Sequence, residues 1–280
     1  IYIYMSSMNT NNIGIKTNNS NNSNNNLFKI ILIGIAIIFI LFFIFSIIKG
    51  YKAYSKYSPY LIKNTVDGKK AQKIKAYQIP PPQDNQYGTE FSYSFWLYLK
   101  DDNFNNNSSE KDLGEFKHIF HKGSYDYNKD HFPLLQNPGV WVYPNTNKLH
   151  IRFNTYQNIA ESCDVGNIPL NAWSHITIIL IGNSVDVFIN GNLKKRQKLK
   201  GVPKLNYEDL YISNWGGFNG YLSRLRYFNY AIQPFMIDFL NSELPSKELD
   251  SSFNDSIPTL SPEYWMTNGY PNSNFQSSSN

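Results

Sequence analysis

Between Leu27 and Ile48 the chain reads LFKIILIGIAIIFILFFIFSII, with Lys29 its single charge and Gly34 and Ser46 its only other non-apolar residues. At 1.5 Å per residue, the stretch from Ile30 to Ile48 rises about 28 Å, which matches the hydrocarbon thickness of a bilayer. A buried core helix would be shorter and would carry a polar face. A signal peptide would have a shorter apolar core and a small-x-small cleavage site after it, and neither is present. Residues 27–48 are therefore predicted to be one transmembrane helix.

The flanks give this helix a direction. Eight lysines follow it (Lys49, Lys52, Lys56, Lys63, Lys69, Lys70, Lys73 and Lys75), and they more than account for the chain's net charge of +5, from 26 Lys and Arg against 21 Asp and Glu. A basic chain can signal a nucleic-acid partner, but here the excess is concentrated beside the membrane span and no nucleic acid is expected. Only Lys16 and the boundary Lys29 lie on the N-terminal side, so the positive-inside rule puts the folded part on the cytosolic side. The single cysteine, Cys163, precludes an intrachain disulfide and suits a reducing compartment. Residues 1–26, rich in Asn and Ser, hold too few apolar groups to offset the entropy of ordering and are read as a disordered tail.

Residues 49–87 alternate Lys with Tyr and end in Pro80-Pro81-Pro82; they read as a juxtamembrane linker. From residue 88 the pattern becomes short β-type runs bounded by turn residues. FSYSFWLYL (Phe91 to Leu99), FKHIFHKG, GVWVY, KLHIRFN, WSHITIILIG, SVDVFINGNLKKRQKL, DLYIS and GYLSRLRYFNYAI follow one another. Asn190-Gly191 is a hairpin signal, because both central positions of a type I′ turn need positive φ. A short helix is predicted over Gln233 to Asn241, with Pro234 in its first turn. Residues 242–280 are a Ser/Asn/Pro-rich tail with aromatic anchors at Tyr264, Trp265 and Tyr270. The fold class is all-β, a two-sheet sandwich over 88–241 behind one transmembrane α-helix.

Three blocks in order, FSYSFWLYL, then NAWSHITIIL with VDVFINGNL, then LYISNWGGFNGYLSRLRYFNYAI, resemble the concanavalin A-like lectin/glucanase superfamily in its laminin-G-like and pentraxin-like branch. Trp173, His175, Asn190 and Gly191 carry the middle signature; Phe218, Gly220, Arg226 and Asn229 carry the last. The resemblance implies a jelly-roll topology of two antiparallel sheets with six or seven strands each. It also implies structural roles for these positions. Trp173 and His175 would sit where a strand enters the core, Gly191 would serve the turn, and Asn229 would cap the exit of the last strand.

Retaining glycosidases of this superfamily need two facing carboxylates about 5 Å apart. The sequence has no Glu-x-Asp-x-x-Glu, and Asp101-Asp102 point to opposite faces of a strand, so no catalytic residues and no enzyme activity are expected. Calcium in relatives is held by loop oxygens, and Asp126, Asn128 and Asp130 are the corresponding candidates here, with Asp164 and Asp186 as others. His118 and His121, with His131 nearby, have the wrong spacing for zinc if the strand is regular, since HxxH then places the rings on opposite faces. Sugars stack on aromatic faces, and Trp215, Phe218, Trp141, Tyr143, Tyr125 and Tyr127 are the candidate ligand-binding residues, Trp215 above all.

The functional expectation is a membrane-anchored, non-catalytic module that recognises carbohydrate or protein. The alternatives are a structural linker between a membrane and a protein shell, and a divergent glycosidase. The Asn-, Ile- and Lys-heavy composition looks like an AT-rich genome, such as that of a large DNA virus, in which case the membrane is that of the virion.

Overall fold

The strands are set by alternation: along FSYSFWLYL every second residue is aromatic or aliphatic on one side, and the opposite side carries Ser92 and Ser94 followed by Trp96 and Tyr98. The computed structural model describes residues 20–86, 88–101, 116–126 and 132–250. Two separate units are present, one up to Tyr54 and one from Ser55 onward.

The first unit is most of helix α1 (Ser20–Tyr57). From Asn26 to Tyr57 it is long and apolar enough to cross a membrane, and its apolar side chains are exposed throughout. The helix runs nine residues past Ile48, because nothing in KGYKAYSKY breaks it until Pro59, which disfavours helical backbone at Ser58. At its other end it starts within the expected tail, at Ser20, and residues 1–19 lie outside the described residues.

Among the described residues the second unit holds thirteen strands: β1 (Val66–Asp67), β2 (Gln72–Ile74), β3 (Gln83–Asn85), β4 (Gly88–Leu99), β5 (Lys117–Gly123), β6 (Gln136–Val142), β7 (Leu149–Phe153), β8 (Glu161–Val165), β9 (Trp173–Ile181), β10 (Ser184–Ile189), β11 (Asn192–Lys198), β12 (Leu210–Ile212) and β13 (Gly220–Phe228). They form two antiparallel sheets. One has seven strands in the order β1-β13-β4-β9-β10-β11, with β3 also on β4; the other has six in the order β2-β12-β5-β6-β7-β8. The two-sheet sandwich expected from sequence is thus the fold.

Between the sheets lies one apolar layer. Phe91, Tyr93, Phe95, Leu97 and Leu99 from β4 and Ile176, Ile178 and Leu180 from β9 meet Phe120, Val140, Ile151 and Cys163 from the facing sheet. Each fully buried side chain of this kind contributes about 1.5–3 kcal/mol.

Residues 58–85 are not a spacer. β1 pairs with β13 through Val66↔Leu222, β2 pairs with β12 through Ile74↔Leu210, and β3 pairs with β4 through Gln83↔Glu90. Strands of two or three residues have no period to read, and their stabilisation comes from backbone pairing, which polar and Lys-rich sequences supply equally well. Arg226 fixes this segment, its Nε donating to Ser58 O (3.0 Å), and Asn229 Nδ2 donates to Pro81 O (3.2 Å), so Asn229 ties the Pro triplet to the end of β13.

The helix α2 (Pro234–Ser242) falls within one residue of its expected span. Residues 243–250 then return along β1, where Thr65 N donates to Glu248 O and Asp250 N to Thr65 O. The expected anchors Tyr264, Trp265 and Tyr270 lie outside the described residues.

Trp173 and His175 depart from expectation. Ser174, Ile176, Ile178 and Leu180 alternate with them along β9, and the three apolar members of that set fill the inter-sheet core. Trp173 and His175 therefore face outward. Trp173 packs with Trp96, Tyr98 and Tyr221 on the outer side of the seven-stranded sheet, in a layer separate from the main core. The hairpin after β10 is as read: Asn190 has φ 49° and Gly191 φ 79°.

Candidate functional site

The outer face of the six-stranded sheet carries the chemistry. Register sets two rows across it. One aligns His118, Trp141, His150 and Asp164 on β5 to β8, and the other aligns Tyr211, His121, Gly139, Arg152 and Ser162 on β12 to β8. The aliphatic residues between them point into the core, so alternation together with one irregularity in β5 gathers three histidines, two aromatics, an arginine and an aspartate on one surface.

A bulge in β5 makes this possible. The β5–β6 register shifts between His118 and Phe120, which places one extra residue between the two histidines. His118 and His121 consequently share a face, contrary to the expectation of opposite faces, and His118 Nε2 lies 2.8 Å from His121 Nδ1.

The hydrogen bonds fix both tautomers. Asn214 N–H donates to His118 Nδ1 (2.9 Å), which leaves the His118 proton on Nε2 to donate to His121 Nδ1. His121 then carries its proton on Nε2, which donates to Ser124 O (2.9 Å). Burial pushes His118 well below the ordinary histidine range, with the neighbouring His121 adding to the shift, and burial pushes His121 down to about 4. The pair is a neutral relay that pins the 213–219 loop at one end and the loop after β5 at the other.

Those two loops deliver the half-buried Trp215 and the exposed Tyr125. Trp215 stacks on Trp141 with centroids 5.8 Å apart and planes 9° apart, and on His121 at 5.3 Å. Its backbone has φ 55°, a rare conformation for a bulky residue, held here because the relay and the stacking over-determine it. Tyr125 lies 5.8 Å from Trp215 and 5.4 Å from Tyr211, and is 55% exposed. Trp141 is the buried floor; Gly139 leaves room for Gln136 Oε1 to accept its indole N–H at 3.0 Å.

At the other end of the face, Asp164 accepts from Tyr143 OH (2.7 Å) and lies 2.7 Å from His150 Nδ1. Burial and that hydrogen bond push the Tyr143 phenol up to about 12. Burial lowers His150 in spite of the carboxylate beside it, so the ring is neutral near pH 7. Phe116 and Phe132 pack over His150, and the Arg152 guanidinium lies 3.8 Å above the Phe132 ring.

Four of the six aromatic residues singled out from sequence thus meet on one face: Trp215, Trp141, Tyr143 and Tyr125. Phe218 does not join them; it is 1% exposed, inside the main core, because the chain turns inward after Trp215 toward β13. Tyr127 lies outside the described residues. Sequence reasoning passed over Tyr211, Phe116, Phe132, His150 and Arg152, although KLHIRFN already alternates His150 and Arg152 with aliphatics.

Of the calcium candidates, Asp126 is exposed in the loop after β5, and Asn128 and Asp130 lie outside the described residues. Asp164 is committed to Tyr143 and His150, and Asp186 to a bidentate pair with Arg196 at 2.7 and 2.6 Å. Among the described residues no three His, Cys, Asp or Glu side chains gather in a metal-binding group.

The family profile of the Concanavalin A-like lectin/glucanases superfamily matches residues 72–237. The chain belongs to that superfamily. The match begins at β2, so the concanavalin A-like domain takes in part of what composition alone marks as a linker. No curated protein matches the chain in sequence. Among solved structures it is similar to the receptor binding domain of botulinum neurotoxin D, at 13% identity over 68% of this chain and 54% of that one, with a TM-score of 0.43. The binding domain of botulinum neurotoxin serotype G gives 15% identity, 63% and 45% coverage and a TM-score of 0.43. The binding domain of Paraclostridial Mosquitocidal Protein 1 gives 17%, 66% and 46%, and 0.40. The chain spans about half the length of these proteins, and the likeness is one of fold.

Proposed function

We propose that this protein is a membrane-anchored, non-catalytic binding module that recognises a carbohydrate or protein ligand with the outer face of its six-stranded sheet. The observation that carries this reading is Trp215, held at positive φ and stacked on the buried Trp141 by a relay of two neutral histidines. A surface aromatic fixed at a backbone cost is preorganised for a flat apolar ligand face. Asp164, Tyr143 and Arg152 place polar groups toward the other end of the same face. Both oxygens of Asp164 already have partners, and the histidines are neutral and committed to one another, so the face is suited to holding a ligand rather than cleaving it.

The test is binding of the full-length protein in nanodiscs to arrayed glycans and to proteins from the compartment it faces, with Trp215→Gly as the control. Binding that survives Trp215→Gly unchanged would exclude this face. Helix α1 is the proposed anchor, spanning once, with the sandwich on the cytosolic side; protease digestion of the sandwich in sealed vesicles without detergent is the expected result.

A second reading, a structural link between the membrane and a protein shell such as a capsid, is favoured by β11. This exposed edge strand carries Lys194, Lys195, Arg196 and Lys198 with no acidic residue among them, a surface for an acidic partner.

A further inference from the structure

Among the strands that end the two sheets, β11 is the longest, at seven residues against two for β1, three for β2 and five for β8. The edge at β1 is closed by the returning chain, which exchanges backbone bonds with Thr65. On β8, Ser162 O already accepts from Gln197 Nε2 (2.6 Å). Register shows what β11 leaves open. It pairs with β10 through Asp186↔Arg196, Val185↔Gln197 and Ser184↔Lys198, and the next N–H, that of Leu199, donates to Asn183 O (2.7 Å). Alternate residues of an antiparallel ladder turn their backbone groups toward the partner strand, so Lys195, Gln197 and Leu199 face β10. The N–H and C=O of Arg196 and Lys198 face away, and among the described residues no hydrogen bond reaches them. Lys194 ends this free stretch as the extra residue of a bulge, since Val187 pairs with Lys195 and Phe188 with Leu193.

The side chains divide in the same way. Arg196 and Lys198 lie on the outer face of the sheet with Asp186, whereas Lys195 and Gln197 lie on the side of Val185 and Val187. Lys194, Lys195, Arg196 and Lys198 are all exposed. Asp186 neutralises Arg196 through the bidentate pair. The Glu161 carboxylate on β8 is committed elsewhere, to Thr155 Oγ1 and the backbone N–H groups of Lys200 and Gly201. Among the described residues no carboxylate pairs with Lys194, Lys195 or Lys198. A lysine-rich edge repels a second copy of itself, which is how natural sheets avoid joining edge to edge. The same charge favours an incoming strand that carries carboxylates.

We infer that β11 holds an extended acidic segment of a protein partner by strand addition. The backbone of that segment pairs with the outward N–H and C=O groups of Arg196 and Lys198, and its carboxylates, at alternate positions, lie beside Lys198 and Arg196 on the outer face. A nucleic acid would match the charge, but a phosphodiester backbone offers acceptors only and leaves the two outward carbonyls without donors. The inference rests on the reading of β11 as a surface for an acidic partner and adds how that partner is held; the experiment separates the two.

Hydrogen exchange of the full-length protein in phosphatidylcholine nanodiscs, read by mass spectrometry over residues 192–199, is the test. The probe is an end-blocked peptide alternating glutamate with threonine, and its control is the same peptide N-methylated at every amide. In the protein alone the Arg196 and Lys198 amides should exchange rapidly; protection there without peptide means that the edge is already covered and overturns the inference. With the probe both amides should slow at least about tenfold. Lys195→Glu with Lys198→Glu, both at exposed positions, should weaken the probe about tenfold through like-charge repulsion across the new pair. The N-methylated control, which has no donors, should leave exchange unchanged. Equal binding of probe and control, or equal protection of these amides by duplex DNA, overturns strand addition and leaves β11 as a charged surface. Binding of neither peptide overturns strand addition and the acidic-partner reading together.

Discussion

The two sheets of the sandwich have outer faces of similar composition and opposite fates. On the seven-stranded sheet, Trp96, Tyr98, Trp173 and Tyr221 form an aromatic layer with Leu244 against it, and Ile179 and Phe228 pack with Ile232, Ile237 and Leu240 from α2 and the turn before it. His175 is sealed in, 1% exposed, bonded through Nε2 to Ser94 Oγ at 2.8 Å. On the six-stranded sheet, Trp141, His118 and His150 are buried just as deeply, but what covers them is a set of loop aromatics whose outer surfaces meet solvent. Among the described residues, a helix and a strap lie over the first face and loops lie over the second. An aromatic-and-histidine face is therefore a second core or a recognition surface according to what the rest of the chain places above it.

The largest expected contrast is in stability. Phe228→Ala removes a fully buried ring beneath α2 and should cost about 3–5 kcal/mol, read as a lower urea midpoint of the sandwich. On the other face, Trp215→Gly should change the unfolding free energy by less than about 1 kcal/mol, since glycine accepts φ 55° without strain. It should remove at least about 2 kcal/mol of ligand affinity, as central aromatic anchors do. If Trp215→Gly instead unfolds the domain, the distinction between the faces fails.

Acid should act on both faces. His121 is held down to about 4 and His175 to about 3, both by burial, whereas a histidine in the unfolded chain titrates near 6.5. The unfolded chain therefore binds more protons below pH 6.5. Stability should be full above that value and fall as pH drops toward 4 and then 3, by about 1.4 kcal/mol per pH unit for each such histidine. His121→Phe should remove its share of the slope and, by cutting the relay, loosen Trp215, seen as altered indole fluorescence near neutral pH. His175→Phe should reduce the slope and leave that fluorescence unchanged. Equal fluorescence effects from the two variants would mean that the faces are mechanically coupled.

The smallest effect belongs to the edge between them. The Arg196 side chain is 66% exposed, and although its pair with Asp186 is bidentate, Arg196→Ala should leave the urea midpoint nearly unchanged, as solvent screens an exposed pair. A larger shift would mean that β11 is held to the sheet mainly by charge rather than by its backbone pairing with β10.

Much of this was legible residue by residue, and the failures share one cause. The turn at Asn190-Gly191, the helix after Gln233 and the aliphatic sides of β4 and β9 are local patterns, decided by φ preference, a proline and alternation. The same alternation hid the meeting of His118 and His121, because a bulge is set by the pairing of two strands and has no period of its own. It also left the side of Trp173 undecided, since both faces of β9 are buried. β1 and β2 escaped because two- and three-residue strands are defined by partners more than a hundred residues away, and β3, which pairs with the nearby β4, is too short to show a period.

By itself the sequence determined that the chain carries one helix long and apolar enough to span a bilayer, and that the rest is an antiparallel sandwich of the concanavalin A-like kind. The helix and the two-sheet sandwich follow from composition and period, which act over neighbouring residues; the concanavalin A-like kind follows from the resemblance of three ordered blocks. Only the tertiary structure decided which outer face is sealed and which is open, which loops the histidine relay holds, and that Phe218 is core while Trp215 is surface. Those outcomes depend on long-range register and on the covering segments at 58–60, 213–219 and 232–250, and a side chain three positions along the same loop has no local signal to say on which side of that cover it will lie.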